Sequence, residues 1–86
     1  MKVADISAAI ESLVDARAED ATVCPSEVAR ALAGIDGPWR ELMPAVRTAA
    51  AELVKKGRLS VTRQGKEVDA VAGGGPIRLA RPRRPR

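Results

Sequence analysis

The sequence contains no histidine, tyrosine or phenylalanine, and its one cysteine is Cys24. A single cysteine excludes a disulfide within the chain and a zinc site built from several cysteines. The lack of histidine removes the most common metal ligand and the most common general base of enzymes. We therefore expect no metal, no cofactor and no enzymatic activity, and catalysis is the least favoured function for this chain.

Large apolar side chains are also few. Sixteen of the 86 residues are alanine, and the only aromatic residue is Trp39. A chain of this length has room for one hydrophobic core, and domains of this size are marginally stable alone. We expect Trp39 to fill space in a thin core in preference to stacking on a base or anchoring an interface. A homodimer or a protein partner would supply further stability.

No stretch of the sequence is apolar for long enough to act as a targeting or membrane segment. Residues 1–7 (MKVADIS) lack the apolar run of a signal peptide. Nowhere does the chain approach the roughly 20 apolar residues that a membrane span requires. The sequence therefore predicts a cytoplasmic protein without a membrane partner.

Positive charge is abundant but unevenly distributed along the chain. There are 15 Lys and Arg residues against 11 Asp and Glu, which gives a formal net charge of +4. Residues 1–37 hold three basic and seven acidic residues, residues 38–80 hold eight basic and four acidic ones, and residues 81–86 hold four arginines. Residues 1–80 are thus neutral but polarised. Electrostatic contact with an anionic partner is expected from the C-terminal half.

Apolar residues at helical spacing predict a first helix from about Asp5 to Ala18, with Asp5 as its N-cap. One face of this helix is apolar because it carries Ile6, Ile10, Leu13 and Val14. After an acidic turn, the dipeptide Thr22-Val23 favours a strand that is too short for more than one bridge.

A second helix is predicted to begin in Cys24-Pro25-Ser26-Glu27 and to end at Gly34. Pro25 at the first helical position needs no N–H partner, and the Glu27 carboxylate can reach back to cap the helix. A thiol at a helix N-terminus, as at Cys24, would suit a redox sensor. Because no second cysteine exists to resolve an oxidised thiol, we favour a small capping residue at this position.

The third predicted helix is the longest, ends before Gly57 and is interrupted by Pro44. A proline inside a helix removes one hydrogen bond and costs about 3 kcal/mol. Either the helix is kinked at Pro44, or residues 38–42 form a separate turn. On a helical projection the apolar side comprises Trp39, Leu42, Met43, Val46, Ala50, Leu53 and Val54, and the opposite, solvent-facing sector comprises Arg40, Pro44, Arg47, Ala51 and Lys55.

Alternating apolar and polar residues predict a strand over 59–63, a turn at residues 64–66 and a returning strand over 77–80. Residues 67–69 can continue the hairpin as a short strand. The order helix, short strand, helix, helix, strand, strand is that of a winged helix-turn-helix. We predict an α+β fold that is mainly α, with three helices and a β wing in one domain over 1–80, and a flexible Arg/Pro-rich basic tail over 81–86.

Three segments of the sequence resemble the bacterial domain-of-unknown-function family 3253: CPSEVARAL at 24–32, WR at 39–40 with MPAVR at 43–47, and GPIRL at 75–79. The resemblance covers roughly residues 5–80. It implies a small winged-helix-like domain and no assigned reaction. Relatives of this kind are sometimes joined to a cysteine-rich segment, which this chain lacks.

The segment 25–57 also resembles the helix-turn-helix of winged-helix regulators, in which the turn usually has three or four residues. A third helix that began at Pro44 would leave ten residues after Ala33. A start at Pro38 or Trp39 restores a short turn but places Pro44 inside the helix.

Nucleic acid, and DNA in particular, is the partner that the basic residues favour, because Lys and Arg neutralise the phosphate backbone and a wing can reach an adjacent groove. The tail would act as an electrostatic arm, unless it is only a solubilising terminus. The candidate contacts are Arg40, Arg47, Lys55, Arg63, Lys66, Arg78, Arg81, Arg83 and Arg84.

A protein-interaction module is the alternative. The acidic N-terminal half and the basic C-terminal half would then pair with another chain, or head to tail with a second copy, through the surface of the second and third helices. An ordinary solvated basic face would have the same composition, so the charge pattern alone leaves both functions open.

Overall fold

The computed structural model describes residues 2–72 and 75–82. Three helices, α1 (Val3–Asp15), α2 (Pro25–Ala33) and α3 (Trp39–Lys55), precede three strands, β1 (Ser60–Arg63), β2 (Lys66–Glu67) and β3 (Arg78–Ala80). The predicted α+β class is confirmed, and the arrangement is consistent with a winged helix.

Helix α1 buries Ile6, Ile10 and Val14, as the apolar spacing predicts. The predicted bounds and cap were wrong, however. The helix begins at Val3 after Lys2, so Asp5 lies inside the first turn, where its charge interacts favourably with the helix dipole. It ends at Asp15, since the residues after Val14 offer no further large apolar side chain to bury.

Helix α2 begins and ends as predicted. Pro25 is its first residue and Cys24 occupies the N-cap position. The Glu27 side chain accepts a hydrogen bond of 2.8 Å from the Cys24 backbone N–H. Gly34 follows the last turn with a φ of 83°, a conformation that favours glycine.

Helix α3 runs without interruption through Pro44, so the separate turn over 38–42 does not exist. The turn between α2 and α3 is therefore residues 34–38. Pro44 lies in the second turn of the helix, and its ring nitrogen cannot donate to the Arg40 carbonyl. The helix buries Val46, Ala49, Ala50 and Leu53, whereas Val54, predicted on the apolar side, is 41% exposed. Val54 faces a cleft beside the wing instead of the core.

The strands form an antiparallel sheet in the order β2-β1-β3. Val61 of β1 pairs with Leu79 of β3. Leu79 also forms an isolated bridge with Val23, whose N–H and C=O make hydrogen bonds of 2.7 and 2.8 Å to the Leu79 backbone. The predicted one-bridge strand is thus confirmed.

The core joins all three helices to the sheet. Its largest fully buried side chains are Ile6, Ile10, Ile77, Leu79, Val23, Val28 and Val46. Trp39, Leu42 and Met43 pack against this cluster from its edge. We call residues 64–77, which connect β1 to β3, the wing; 73 and 74 lie outside the described residues.

Candidate nucleic-acid interface

Ion pairs engage few of the basic side chains in the described part of the chain. They join Arg17 to Glu27 at 3.2 Å, Arg58 to Glu11 at 2.7 Å and Lys55 to Glu52 at 3.7 Å. Lys55, one of the predicted contacts, is therefore paired within its own helix. The other six arginines in residues 2–72 and 75–82, namely Arg30, Arg40, Arg47, Arg63, Arg78 and Arg81, have no carboxylate within 4 Å.

Two of these arginines stack on the only aromatic ring, at the turn between α2 and α3. The Cζ atoms of Arg30 and Arg40 each lie 4.4 Å from the centroid of the Trp39 ring. Both arginines are exposed, and Trp39 is half-buried. We call these three residues the arginine–tryptophan cluster. A cation over an indole face gains roughly 0.5–1 kcal/mol at an exposed site, so the ring orients both guanidinium groups without neutralising them.

Sequence patterns do not indicate a role for Arg30. It lies nine residues before Trp39 and on another helix, and helical spacing cannot predict that the turn brings the two together. Arg30 lies in the last turn of α2, where its positive charge interacts favourably with the helix dipole. This position is the local feature that could have indicated it.

The wing covers part of the sector of α3 that was predicted to face solvent. Arg47 is half-buried and donates a hydrogen bond of 3.4 Å to the Ala70 carbonyl. An open cleft of about 390 Å³ separates α3 from residues 67–70 and is lined on the helix side by Ala51, Val54 and Lys55. Arg40 and Pro44, by contrast, are exposed. Within this sector, Arg47 and Ala51 are thus partly covered by the wing, whereas Arg40 and Pro44 are not.

Two of the predicted contacts lie at the wing: Arg63 is the last residue of β1, directly before it, and Lys66 is within it. The guanidinium of Arg63 donates to the Gly75 and Pro76 carbonyls at 3.1 and 3.3 Å, which holds the start of the wing against its end. Lys66 is exposed, and its side chain makes no hydrogen bond or ion pair within the described residues. Hydrogen bonds thus hold the Arg63 guanidinium in place, whereas no hydrogen bond or ion pair within the described residues holds the Lys66 ammonium group.

Arg78 and Arg81 extend from the last strand toward the N-terminal half. Arg78 donates to the Thr22 hydroxyl at 2.7 Å and to its carbonyl at 3.3 Å. Nη2 of Arg81 lies 3.0 Å from the carbonyl oxygens of Asp15 and Arg17, where it satisfies backbone acceptors at the C-terminal end of α1. Arg83 and Arg84, the remaining predicted contacts, lie outside the described residues.

One carboxylate occupies the N-terminus of α2 among these cations. The hydrogen bond from the Cys24 N–H lowers the pKa of Glu27, burial opposes this by raising it, and Arg17 and Arg78 lower it further. Nearby, the Ser26 hydroxyl donates to the half-buried Cys24 sulfur at 3.1 Å. The capping position predicted for Cys24 is confirmed.

We expect Glu27→Gln to destabilise the fold slightly at pH 7, by less than about 1 kcal/mol, because the side chain is 40% exposed and solvent screens its ion pair. The folded pKa lies below the unfolded one, so the charge stabilises the fold above the unfolded pKa and ceases to do so as the pH falls through the folded pKa. Urea titrations of both proteins from pH 7 to pH 3 would measure this difference. It should shrink in acid, and a constant difference would contradict the assignment. Glu41→Gln is the matched control, because this exposed carboxylate has no ion pair or side-chain hydrogen bond with the residues that the structure describes.

Two of the predictions from the sequence concern metal ions and membranes. Among residues 2–72 and 75–82, no group of three or more His, Cys, Asp or Glu side chains is placed to hold a metal ion. Over the same residues, every helix is too short or too polar to cross a membrane.

Comparison with known proteins identifies one relationship. The family model described as "Protein of unknown function (DUF3253)" matches residues 3–82, which is nearly the whole chain. No curated protein matches the sequence.

Proposed function

We propose that this chain, which belongs to the DUF3253 family of proteins of unknown function, binds duplex DNA through contacts to the phosphate backbone. One observation carries the proposal. Six arginines are held by neutral groups, namely backbone carbonyls, a hydroxyl and an indole ring, and none of the six forms an ion pair within the described residues.

A surface that served only for solubility would not need this arrangement. Solvated arginines lose conformational entropy when they are held in one place, and eleven acidic residues were at hand to pair with them. Arginine keeps several N–H donors free after one or two hydrogen bonds to carbonyls, and its planar fork matches phosphate. The positioned arginines are therefore preorganised for an anionic backbone, which lowers the cost of ordering them on binding.

The contacts are divided among three parts of the fold. Arg30 of α2 and Lys66 of the wing are exposed and lie outside all ion pairs of the described residues, so we assign them to phosphates. Arg63, Arg78 and Arg81 supply further positive charge near the sheet. The role is one of binding without a catalytic step, because the chain has no histidine and only one thiol.

The salt dependence of affinity tests the proposal. We expect the wild type to bind a fluorescent duplex of mixed sequence, with affinity falling steeply between about 50 and 200 mM NaCl. The double variant Arg30→Ala/Lys66→Ala should bind more weakly, and the slope of log K against log salt should fall in magnitude by about 2, since two phosphate contacts are lost. Fluorescence anisotropy measures both quantities.

The matched control is Arg17→Ala/Arg58→Ala, which removes the same net charge from arginines already paired with Glu27 and Glu11. Its slope should stay close to that of the wild type. Absence of binding at low salt, salt-independent binding, or an equal loss in the control would each refute phosphate contact at the proposed residues.

A protein-interaction role for the surface of α2 and α3 is the second candidate, and one side chain favours it. Ile35 in the turn between these helices is fully exposed, at 102% of its reference area. Large apolar side chains in this setting often anchor protein partners. A dimer in light scattering that Ile35→Ala dissociates, in a protein that binds no DNA, would favour this candidate over the first.

A further inference from the structure

We infer that Arg40 is a specificity residue that recognises a guanine in the major groove, with α3 entering the groove by its N-terminal end. This inference rests on the proposed DNA binding and adds base recognition to it. Its basis is the juxtaposition of an exposed, ring-stacked arginine in the first turn of α3 with a wing that lies beside the second half of the same helix and partly covers Arg47 and Ala51.

The wing determines which part of α3 can reach base edges. A helix that lies along a groove needs an open sector over its full length, but Arg47, Ala51 and Lys55 are next to residues 67–70. The first two turns, which include Arg40 and Pro44, are open. Recognition helices commonly contact bases through their N-terminal residues. If α3 enters the groove by this end, the wing does not have to move.

Pro44 suits such an approach. It is exposed one turn after Arg40 and on the same side of the helix. Its side chain is too short to prevent close contact between the helix and the groove. Glu41 and Asp36 are the nearest acidic residues in sequence and are also exposed. Glu41 is rotated by about 100° from Arg40 around the helix axis, so it does not accompany Arg40 into the groove.

The stacking on Trp39 suits base recognition better than a phosphate contact alone. A guanidinium that lies over a ring keeps its N–H groups in its own plane, free to point outward as a fork. That fork matches the O6 and N7 acceptors of guanine, the most common specific contact in protein–DNA complexes. Trp39, held by the core through its half-buried side, fixes the direction of the fork before DNA arrives.

Arg30 provides an internal comparison, because it stacks on the same ring at the same distance. It belongs to α2, and in a helix-turn-helix the first of the two helices crosses the phosphate backbone while the second enters the groove. We thus expect the two arginines to have different functions: Arg30 binds a phosphate and Arg40 binds a base.

The experiment is a selection from duplexes with a randomised central segment, followed by anisotropy with the best duplex and its single-base variants. The wild type should prefer guanine at one position by about fivefold or more. Arg40→Gln should lose that preference or transfer it to adenine, the base that glutamine pairs with. Arg30→Gln should keep the guanine preference, bind all duplexes more weakly and show a smaller salt slope.

The circular dichroism spectrum and the urea unfolding midpoint of each variant would establish that both proteins are folded. Binding without base preference in the wild type, retention of the guanine preference in Arg40→Gln, or its loss in Arg30→Gln as well would overturn base recognition by Arg40 while leaving DNA binding intact. A wild type that binds no duplex at low salt would instead refute the function on which the inference rests.

Discussion

Replacing Ile10 with alanine is expected to lower the free energy of unfolding by about 2–5 kcal/mol. Ile10 is 0% exposed in the middle of α1, where it packs in the cluster that joins the helices to the sheet. The cost depends on how far the other side chains of this fifteen-residue cluster can move to fill the cavity, and its four alanines cannot reach into it. A chain of 86 residues has a total stability of roughly 5–10 kcal/mol, so the variant should be partly unfolded near 37 °C.

The matched control is the same substitution at Ile35, which is 102% exposed. Ile35→Ala removes the same atoms from a site where they contact solvent, so its effect should stay within about 0.5 kcal/mol. Thermal and urea unfolding followed by circular dichroism compare the two. Similar midpoints for the two variants would mean that α1 does not bury Ile10 as described.

The second large effect is expected at Gly37 in the turn between α2 and α3. A Cβ atom on Gly37 would overlap the carbonyl oxygen of Ala33 and lie 2.8 Å from its Cβ atom. The Gly37 carbonyl also accepts a hydrogen bond of 2.9 Å from the Trp39 N–H at the start of α3. Gly37→Ala should therefore displace the turn and cost about 3 kcal/mol, the upper end of the range for overpacked sites.

Trp39 reports this displacement directly, because it is the only aromatic residue. We expect its fluorescence spectrum to change in folded Gly37→Ala, since the turn places its ring beneath Arg30 and Arg40. Gly57→Ala is the comparison: its φ of 71° makes alanine strained by about 1–2 kcal/mol, but among the described residues no atom beyond the two chain neighbours lies within 4 Å of the new methyl group. A loss of stability there should leave the fluorescence unchanged. An unaltered spectrum and full stability in Gly37→Ala would contradict the turn geometry.

Most of the fold could be predicted from local patterns. The spacing of Ile6, Ile10 and Val14 indicated α1, and Pro25, Glu27 and Gly34 marked the ends of α2 because their chemistry acts over a few residues. The start of α1 could not be predicted, since Lys2 provides no side-chain cap and the helix extends until packing ceases to support it. Pro44 predicted a kink or a break in the third helix, but the contacts that α3 makes on either side of Pro44 keep the helix continuous.

The candidate site was harder to predict because it depends on contacts between distant segments. A helical projection placed Arg47 and Ala51 in the solvent-facing sector but could not indicate that the wing folds back over them. The number of charged residues can be counted from the sequence, but the groups that each charged side chain contacts cannot be predicted from it. Whether an arginine meets a carboxylate, as Arg58 does, or a backbone carbonyl, as Arg81 does, is determined only by the tertiary structure.

The bridge between Val23 and Leu79 has a consequence for the order of folding during synthesis. Its two partners are 56 positions apart in the sequence, so β3 reaches the tunnel exit of the ribosome long after α1 and α2. Until Leu79 emerges, Val23 and the strand β1 have no partner on that side, and their apolar side chains stay accessible to chaperones. The helices can form early from local contacts, but the cooperative native state must wait for the last strand.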